Sequence, residues 1–203
     1  QYGQKQWNSR MRTQYRRQCP NLTEVTYAGC SHDSRIDVKC TVSLYRTDDI
    51  VRGVYRLRYD VRSPVRFSRL AFFQMASDNY SDNQFNLMAR GNESGLIEEW
   101  RPPWGGRTYS RTGIPCTGRV SWISMHDAIS RDPTAYGAWP NRGLVIRSWQ
   151  ARLGGAIAPT PYTAVYGSMN GMPSAIVELS APPGVGQLLP GDYVDAEIVQ
   201  VIM

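Results

Sequence analysis

Two long stretches of the chain alternate between apolar and polar residues, which is the period of a half-buried β-strand. In residues 36–44 one side holds Ile, Val, Cys, Val and Leu, and the other side holds Asp, Lys, Thr and Ser. In residues 51–61 apolar, aromatic and glycine residues alternate with arginines and an aspartate. Both stretches predict strands with one buried and one exposed face.

Shorter apolar runs predict further strands. They lie at 67–75, 85–89, 96–100, 120–125, 143–152, 163–166, 175–179 and 193–202. Turns rich in glycine and proline separate many of them, and no convincing amphipathic helix is found. About ten short strands divided by such turns predict an all-β fold, an antiparallel β-sandwich or jelly-roll-like single domain.

The first 35 residues differ from the rest in composition. Arg10, Arg12, Arg16 and Arg17 stand among glutamines without apolar alternation. We expect residues 1–35 to form a basic arm and disulfide-tied segment, and residues 36–203 to form the sandwich. A nucleic-acid-binding arm is the alternative, but the signs of secretion given below weigh against it.

Four cysteines are present, Cys19, Cys30, Cys40 and Cys116, and none forms a Cys-x-x-Cys pair. Structural zinc sites show that close pairing, and the chain has only two histidines to assist, so we expect no metal and no cofactor. Two disulfides are expected instead, and the four cysteines allow three pairings. One of the two disulfides must join the N-terminal segment to the region of Cys116.

Three Asn-x-Ser/Thr sequons, at Asn21, Asn79 and Asn92, lie in polar stretches that are typical of loops. Together with an even number of cysteines they predict a secreted, N-glycosylated protein. No apolar run has the roughly 20 residues that a membrane-spanning helix needs.

The composition is that of a globular domain, with 41% hydrophobic and 20% charged residues. The net charge is +6, and Lys5 and Lys39 are the only lysines, so nearly every cation is an arginine. Codon usage explains such a bias without any function. The functional interpretation is an anionic partner, because guanidinium groups bind carboxylates and sulfates well.

The first candidate site is a row of arginines on the second long strand. Arg52, Arg56, Arg58 and Arg62 share one face, spaced so that they can follow an acidic polysaccharide. The alternative is a solvated outer face, neutralised by acids of a neighbouring strand, for which the last strand offers Asp195 and Glu197.

The second candidate is a set of aromatic residues in and around the predicted loops. Its members are Trp100, Trp104, Tyr109, Tyr136 and Trp139. Such rings can stack on sugar rings, and loops on a rigid sandwich are common binding sites. The alternative is that these rings close the open ends of the sandwich.

The third candidate is His126, followed by an aspartate. With an arginine and a tyrosine it would suit proton abstraction from a uronic acid, although a lone histidine in a polar stretch is more often a surface residue. Glu98 and Glu99 are adjacent and point to opposite faces of a strand, so they are not a glycosidase pair with one another. No phosphate-binding loop or nucleophile elbow is present.

The last third of the chain carries a family resemblance. The segments Gly-Leu-Val-Ile-Arg-Ser-Trp at 143–149 and Pro-Gly-Asp-Tyr-Val-Asp-Ala-Glu-Ile-Val-Gln-Val-Ile at 190–202 resemble the closing β-sandwich of secreted polysaccharide-acting, lyase-type proteins. The resemblance implies a sandwich fold and a carbohydrate role, and it transfers no active-site residue.

The leading hypothesis is a carbohydrate-directed β-sandwich module of a secreted glycoprotein, which binds an extended polysaccharide, acidic polymers included. The rival is a structural subunit of an extracellular fibre, sheath or coat that assembles with identical copies through strand edges and the N-terminal arm. A polysaccharide lyase is the weaker alternative.

Overall fold

The computed structural model describes residues 8–46, 51–78, 87–102, 109–126, 141–169 and 172–202. Every regular element in this part of the chain is a β-strand. The strands are β1 Asn8–Cys19, β2 Leu22–Ser31, β3 Ile36–Arg46, β4 Val51–Val61, β5 Val65–Arg66, β6 Ala71–Asp78, β7 Leu87–Asn92, β8 Gly95–Trp100, β9 Tyr109–Pro115, β10 Ser121–His126, β11 Asn141–Leu153, β12 Ala156–Ile157, β13 Tyr162–Met169, β14 Met172–Ser180, β15 Gln187–Leu188 and β16 Tyr193–Ile202.

Two antiparallel sheets hold nearly all of these strands. The large sheet has the order β1-β2-β3-β4-β16-β11-β10-β7-β8, and β12 adds to the end of β11. The small sheet has the order β6-β14-β13-β9, and β5 and β15 form a separate pair. The sheets have ten and four strands, whereas a jelly roll has two sheets of four strands each. The confirmed part of the fold prediction is therefore the antiparallel all-β architecture.

The core lies between the two sheets. Leu57 and Ile198 of the large sheet are buried, as are Val177 and Leu179 of the small sheet, in one contiguous apolar cluster. Aromatic contacts also join the sheets, since the rings of Tyr55 and Phe73 have centroids 4.8 Å apart. The alternation predicted for 36–44 and 51–61 identified the inner face near Ile36 and Val61, which are buried. At the other end of the two strands, Leu44 and Val51 are exposed and Ser43 is buried, contrary to the pattern.

A buried carboxylate fixes the turns that lead into the last strand. Asp192 is 1% exposed and accepts hydrogen bonds from the backbone N–H groups of Gly154, Gly155 and Leu189 at 2.7–3.0 Å. Both glycines have positive φ, at 63° and 83°, a conformation that side chains disfavour. Asp192 thus positions the start of β16 beside β4 and β11.

The N-terminal segment is part of the large sheet. β1 and β2 form an antiparallel hairpin, and β2 pairs with β3 from Leu22–Tyr45 to Cys30–Asp37. The predicted boundary at residue 35 falls in the connection between β2 and β3. The basic residues from Arg12 to Arg17 are exposed on β1, the edge strand.

The prediction of two disulfides is not supported, because all four cysteines are free thiols. Cys19 lies at the β1–β2 turn, and Cys30 lies at the other end of the same hairpin. Cys40 stands opposite Tyr27, three residues or about 10 Å along the strand from Cys30, and on the opposite face. Cys116 is buried after β9, next to Thr163 of the small sheet. These positions lack the close approach that a disulfide requires.

Two of the three sequons lie in the described residues. Asn21 is exposed in the turn between β1 and β2. Asn92 ends β7, is partly buried, and accepts a hydrogen bond from the Ser94 N–H at 2.8 Å. Asn79 lies outside the described residues, and glycosylation stays a prediction. No helix in the described part of the chain is long and apolar enough to cross a membrane.

Candidate functional site

The predicted arginine row lies on the outer face of the large sheet, the face that points away from the small sheet. β4 is hydrogen-bonded to β3 on one side and to β16 on the other. Arg52, Arg56 and Arg58 alternate with inward residues such as Leu57, so all three point outward. The outward residues of β3, β4, β16 and β11 are called the outer polar face below.

Arg56 binds an acid of the neighbouring strand. The register pairs Arg56 with Glu197, and the Arg56 Nε donates to the Glu197 carboxylate at 2.9 Å. Arg147 of β11 reaches the other oxygen of the same carboxylate at 3.1 Å. The hydrogen bond that Arg56 donates to Glu197 raises the pKa of Arg56.

Arg58 lies one step along the same row and contacts two acids. It donates to Asp60 of its own strand at 2.5 Å and to Asp195 of β16 at 3.3 Å. The guanidinium carbon is 4.7 Å from the centre of the Tyr193 ring, a cation–π contact. The ring, the cation and the two acids therefore form one exposed patch.

The two ends of the row differ. Arg62, just after β4, donates to Asp37 at 2.5 Å. Arg52 stands opposite Tyr45 and Val201, and the described residues include no ion-pair partner for it. The two predicted acids therefore pair with Arg56 and Arg58, as the alternative of a neutralised outer face expects.

The pairs on the outer polar face are exposed. The side chains of Arg56 and Glu197 are 62% and 22% exposed, and those of Arg58 and Asp195 are 40% and 58% exposed. Pairs of this kind stabilise a protein by only about 0–1 kcal/mol each. The arrangement therefore contributes little to the fold and leaves donors and acceptors accessible to a ligand.

Two of the five predicted aromatic residues lie in the described chain. Trp100 of β8 and Tyr109 of β9 are partly buried and pack against the core. The guanidinium carbon of Arg111 lies 4.5 Å from the centre of the Trp100 ring. Trp104, Tyr136 and Trp139 are outside the described residues, so stacking of sugars on this set stays a prediction.

A second ion-pair cluster lies beside Trp100, where β8 of the large sheet meets β9 of the small sheet. Glu98 accepts hydrogen bonds from Arg90 and Arg111, each at 2.9 Å. These two bonds lower the pKa of Glu98 to about 2. The Arg90 guanidinium also donates to the Pro115 carbonyl at 2.9 Å, so the cluster links the two sheets.

His126 ends β10 on the outer face and is partly buried. Its Nδ1 lies 3.4 Å from the Ser124 hydroxyl. Burial lowers the pKa of His126, against the opposing effect of Glu99. Among the described side chains, no group of three or more His, Cys, Asp or Glu residues is arranged to hold a metal ion.

Sequence reasoning missed Trp122 as a surface residue. It is the outward residue between the buried Ser121 and Ile123 of β10. Its indole ring lies against Gly91 of β7, since a Cβ on that glycine would be 2.4 Å from the ring. The sequence gives little signal for this direction, because neither face of 120–125 is consistently apolar.

No protein-family model matches the chain, and no curated protein matches it. Solved structures resemble its fold, among them the three that follow. The α-galactosidase from Lactobacillus brevis has 9% identity and a TM-score of 0.51, and the match covers 98% of this chain and 27% of the galactosidase chain. The galactosidase domain of an α-galactosidase–sucrose kinase has 8% identity and a TM-score of 0.49, and the match covers 98% of this chain and 28% of that chain.

The third structure is a galactose mutarotase-related enzyme from Lactobacillus acidophilus, with 8% identity and a TM-score of 0.41, covering 94% of this chain and 71% of its own. The chain spans about a quarter of the length of the two galactosidase structures. None of the three structures is named as a lyase, so the expected resemblance to lyase-type proteins is not supported. What the comparison supports is a resemblance to carbohydrate-related proteins in general. The chain shares a β-sandwich fold with a domain-sized part of a carbohydrate-related protein.

Proposed function

We propose that this chain is a carbohydrate-directed module that binds an extended polysaccharide on the outer polar face. The observation that carries the proposal is the exposed network of guanidinium and carboxylate groups on β4, β16 and β11. Sugar hydroxyl groups accept hydrogen bonds from the guanidinium groups and donate hydrogen bonds to the carboxylates. Because charged partners strengthen hydrogen bonds, such a surface binds hydroxyl-rich polymers effectively.

The charge of this face favours an acidic polysaccharide over a neutral one. Among the described residues, the outward cations outnumber the acids by seven to four. The cations are Arg52, Arg56, Arg58, Arg62, Arg147, Arg152 and Lys39, and the acids are Asp37, Asp60, Asp195 and Glu197. An excess of cations attracts an anionic ligand, and the attraction weakens as salt is added.

The shared fold with the L. brevis α-galactosidase agrees with a carbohydrate role. The ligand is argued from the surface itself, because one fold serves many functions. Secretion and N-glycosylation belong to the proposal as well. Since the cysteines are unpaired, the compartment now rests on the sequons, of which Asn21 is the most exposed in the described chain. Intact mass before and after glycosidase treatment tests this part.

Assembly through strand edges is the competing function, and the edge β1 gives it little support. β1 carries exposed arginines, and its pairing with β2 shifts register twice. Charges and bulges on an edge strand are devices that prevent pairing with other chains. Size measurement at several concentrations separates the two functions, because an assembly unit forms polymers and a binding module does not.

The test of the proposal is binding to a panel of alginate, pectate, sulfated and neutral polysaccharides at low salt. The variant Arg56→Gln with Arg58→Gln removes two cations from the outer polar face. The matched control, Arg66→Gln with Arg119→Gln, removes two exposed cations elsewhere. We expect the first variant to bind at least about tenfold more weakly, a loss of ~1.4 kcal/mol. Equal binding by both variants, or no binding by the natural sequence, contradicts the proposal.

A further inference from the structure

An apolar row crosses the outer face of the large sheet at right angles to the strands, from β10 to β4. Trp122 of β10 pairs with Val145 of β11, Val145 pairs with Val199 of β16, and Val199 pairs with Val54 of β4. All four side chains are outward and partly buried. The solvent-facing side of an antiparallel sheet is normally polar, so four apolar residues in register call for an explanation. We name these four residues the apolar stripe.

The ring at one end of the stripe packs against the neighbouring strand β7. The Trp122 indole lies beside Gly91, and its Nε1 donates to the Asn92 carbonyl at 3.4 Å. The side chain is partly buried. A ring fixed in this way loses little conformational entropy when it stacks on another ring.

Space is available beside the stripe. Gly143 lies in the next row of the same face, paired with Ser124 and Val201. Among the described residues, a Cβ built on Gly143 meets no atom within 4 Å, so the surface that they form is open at this position.

Polar groups border the stripe on both sides. Arg52, Val54 and Arg56 are successive outward residues of β4, so one arginine flanks each side of the stripe. On the Arg56 side the border continues through Glu197. On the other side, Arg52 has no ion-pair partner among the described residues. A pyranose has the matching character, with apolar ring faces and hydroxyl groups around its rim.

We infer that the apolar stripe is the floor of the binding site, on which an anionic polysaccharide runs across the strands with one pyranose stacked on Trp122 and one carboxylate or sulfate group at Arg52. The four strands place the ends of the stripe about 14 Å apart, which accommodates a few sugar units. This inference rests on the proposed function. It adds the direction in which the polysaccharide crosses the sheet and the residues that contact it.

The experiment compares aromatic and aliphatic replacements of the stacking residue with oligogalacturonates of increasing length as the probe. Trp122→Phe keeps a flat ring, and Trp122→Leu keeps only apolar volume. We expect Trp122→Leu to bind about tenfold more weakly and Trp122→Phe to stay close to the natural protein. Affinity should rise with oligomer length and level off once the stripe is covered. Circular dichroism and thermal melting establish that both variants are folded.

Three further variants test the apolar character of the stripe and the role of Arg52. Val145→Thr with Val199→Thr preserves shape and makes the stripe polar, which should also weaken binding. Arg52→Gln should weaken binding of anionic oligomers, and Arg46→Gln, on the opposite face of the sheet end, is its matched control. If Arg56→Gln with Arg58→Gln abolishes binding while the stripe variants and Arg52→Gln bind normally, the inference is wrong and the proposed function stands. If the natural protein binds no oligomer and no polymer, both are wrong.

Discussion

Two surfaces of this molecule use the same residue types and differ in their exposure. On the outside of the small sheet, Glu178 is 2% exposed and accepts from Arg69 at 2.6 and 2.9 Å and from Gln74 at 2.9 Å. The Arg69 guanidinium also covers the Tyr166 ring, at 3.8 Å from its centre. On the outer polar face of the large sheet, the acids remain accessible.

The difference separates an ion pair that holds the structure from ion pairs that a ligand can replace. The acceptors of Glu178 are occupied, and breaking this site leaves a buried polar group unpaired, which is costly. Glu197 and Asp195 lie in reach of water, and their bonds to Arg56 and Arg58 exchange for ligand bonds at small cost. The following experiments test this contrast, from the largest expected effect on stability to the smallest.

Glu178→Gln should destabilise the protein most. The amide cannot accept both Arg69 bonds, and its NH₂ group faces donors, so the free energy of unfolding should fall by about 2 kcal/mol. Urea denaturation measures the change. A loss no larger than that of Glu197→Gln would remove the distinction between the two surfaces.

Acid should weaken the link between the sheets through Glu98. Because the Arg90 and Arg111 bonds lower the pKa of Glu98 from 4.5 to about 2 in the folded protein, its stabilisation is complete above pH about 4.5. It is lost as the pH falls from there toward 2. Thermal melts over this range should therefore show a smaller loss for Glu98→Gln than for the natural protein. Parallel curves for the two proteins would contradict this assignment.

Glu197→Gln should hardly change stability. An exposed pair contributes about 0–1 kcal/mol, so the urea midpoint should stay close to that of the natural protein. The same substitution should lower polysaccharide affinity, since one acceptor of the outer polar face becomes partly a donor. A variant that unfolds early and binds normally would show that this acid is structural.

Reducing agent should have no effect on stability, because all four cysteines are thiols. Burial raises the pKa of the Cys40 thiol to about 11, and it also raises the pKa of Cys116, so both should react slowly with iodoacetamide. The exposed Cys19 should react first. Peptide mass spectrometry of the alkylated native protein measures the order, and a melting temperature that drops in reductant would indicate a disulfide.

Apolar alternation located the inner strands of the fold. Each of the ten predicted strands has an observed counterpart, although 67–75 is shifted to β6 and 85–89 to β7. The hairpin of β1 and β2 was missed because β1 lies at the edge of the sheet, where most residues are exposed on both faces and no alternation is needed. The strand β9 was missed as well, in a run of small and polar residues.

The candidate site was predictable in part. The shared face of Asp195 and Glu197 could be read from the sequence, and the structure supplied the register that puts them opposite Arg58 and Arg56. The cysteine prediction failed because pairing depends on which strands are neighbours, and composition does not contain that information. The strand at 120–125 was predicted without a direction for Trp122, because its outward direction follows only from the phase of β10.

A ligand site on the outer polar face is tested best by labelling arginines with phenylglyoxal, with and without pectate, and locating the labels by mass spectrometry. We expect pectate to protect Arg52, Arg56 and Arg58 on the large sheet and to leave the labelling of Arg66 and Arg119 unchanged. Equal labelling of all five with and without the polymer, or protection confined to Arg66 and Arg119, would contradict a ligand site on the outer polar face.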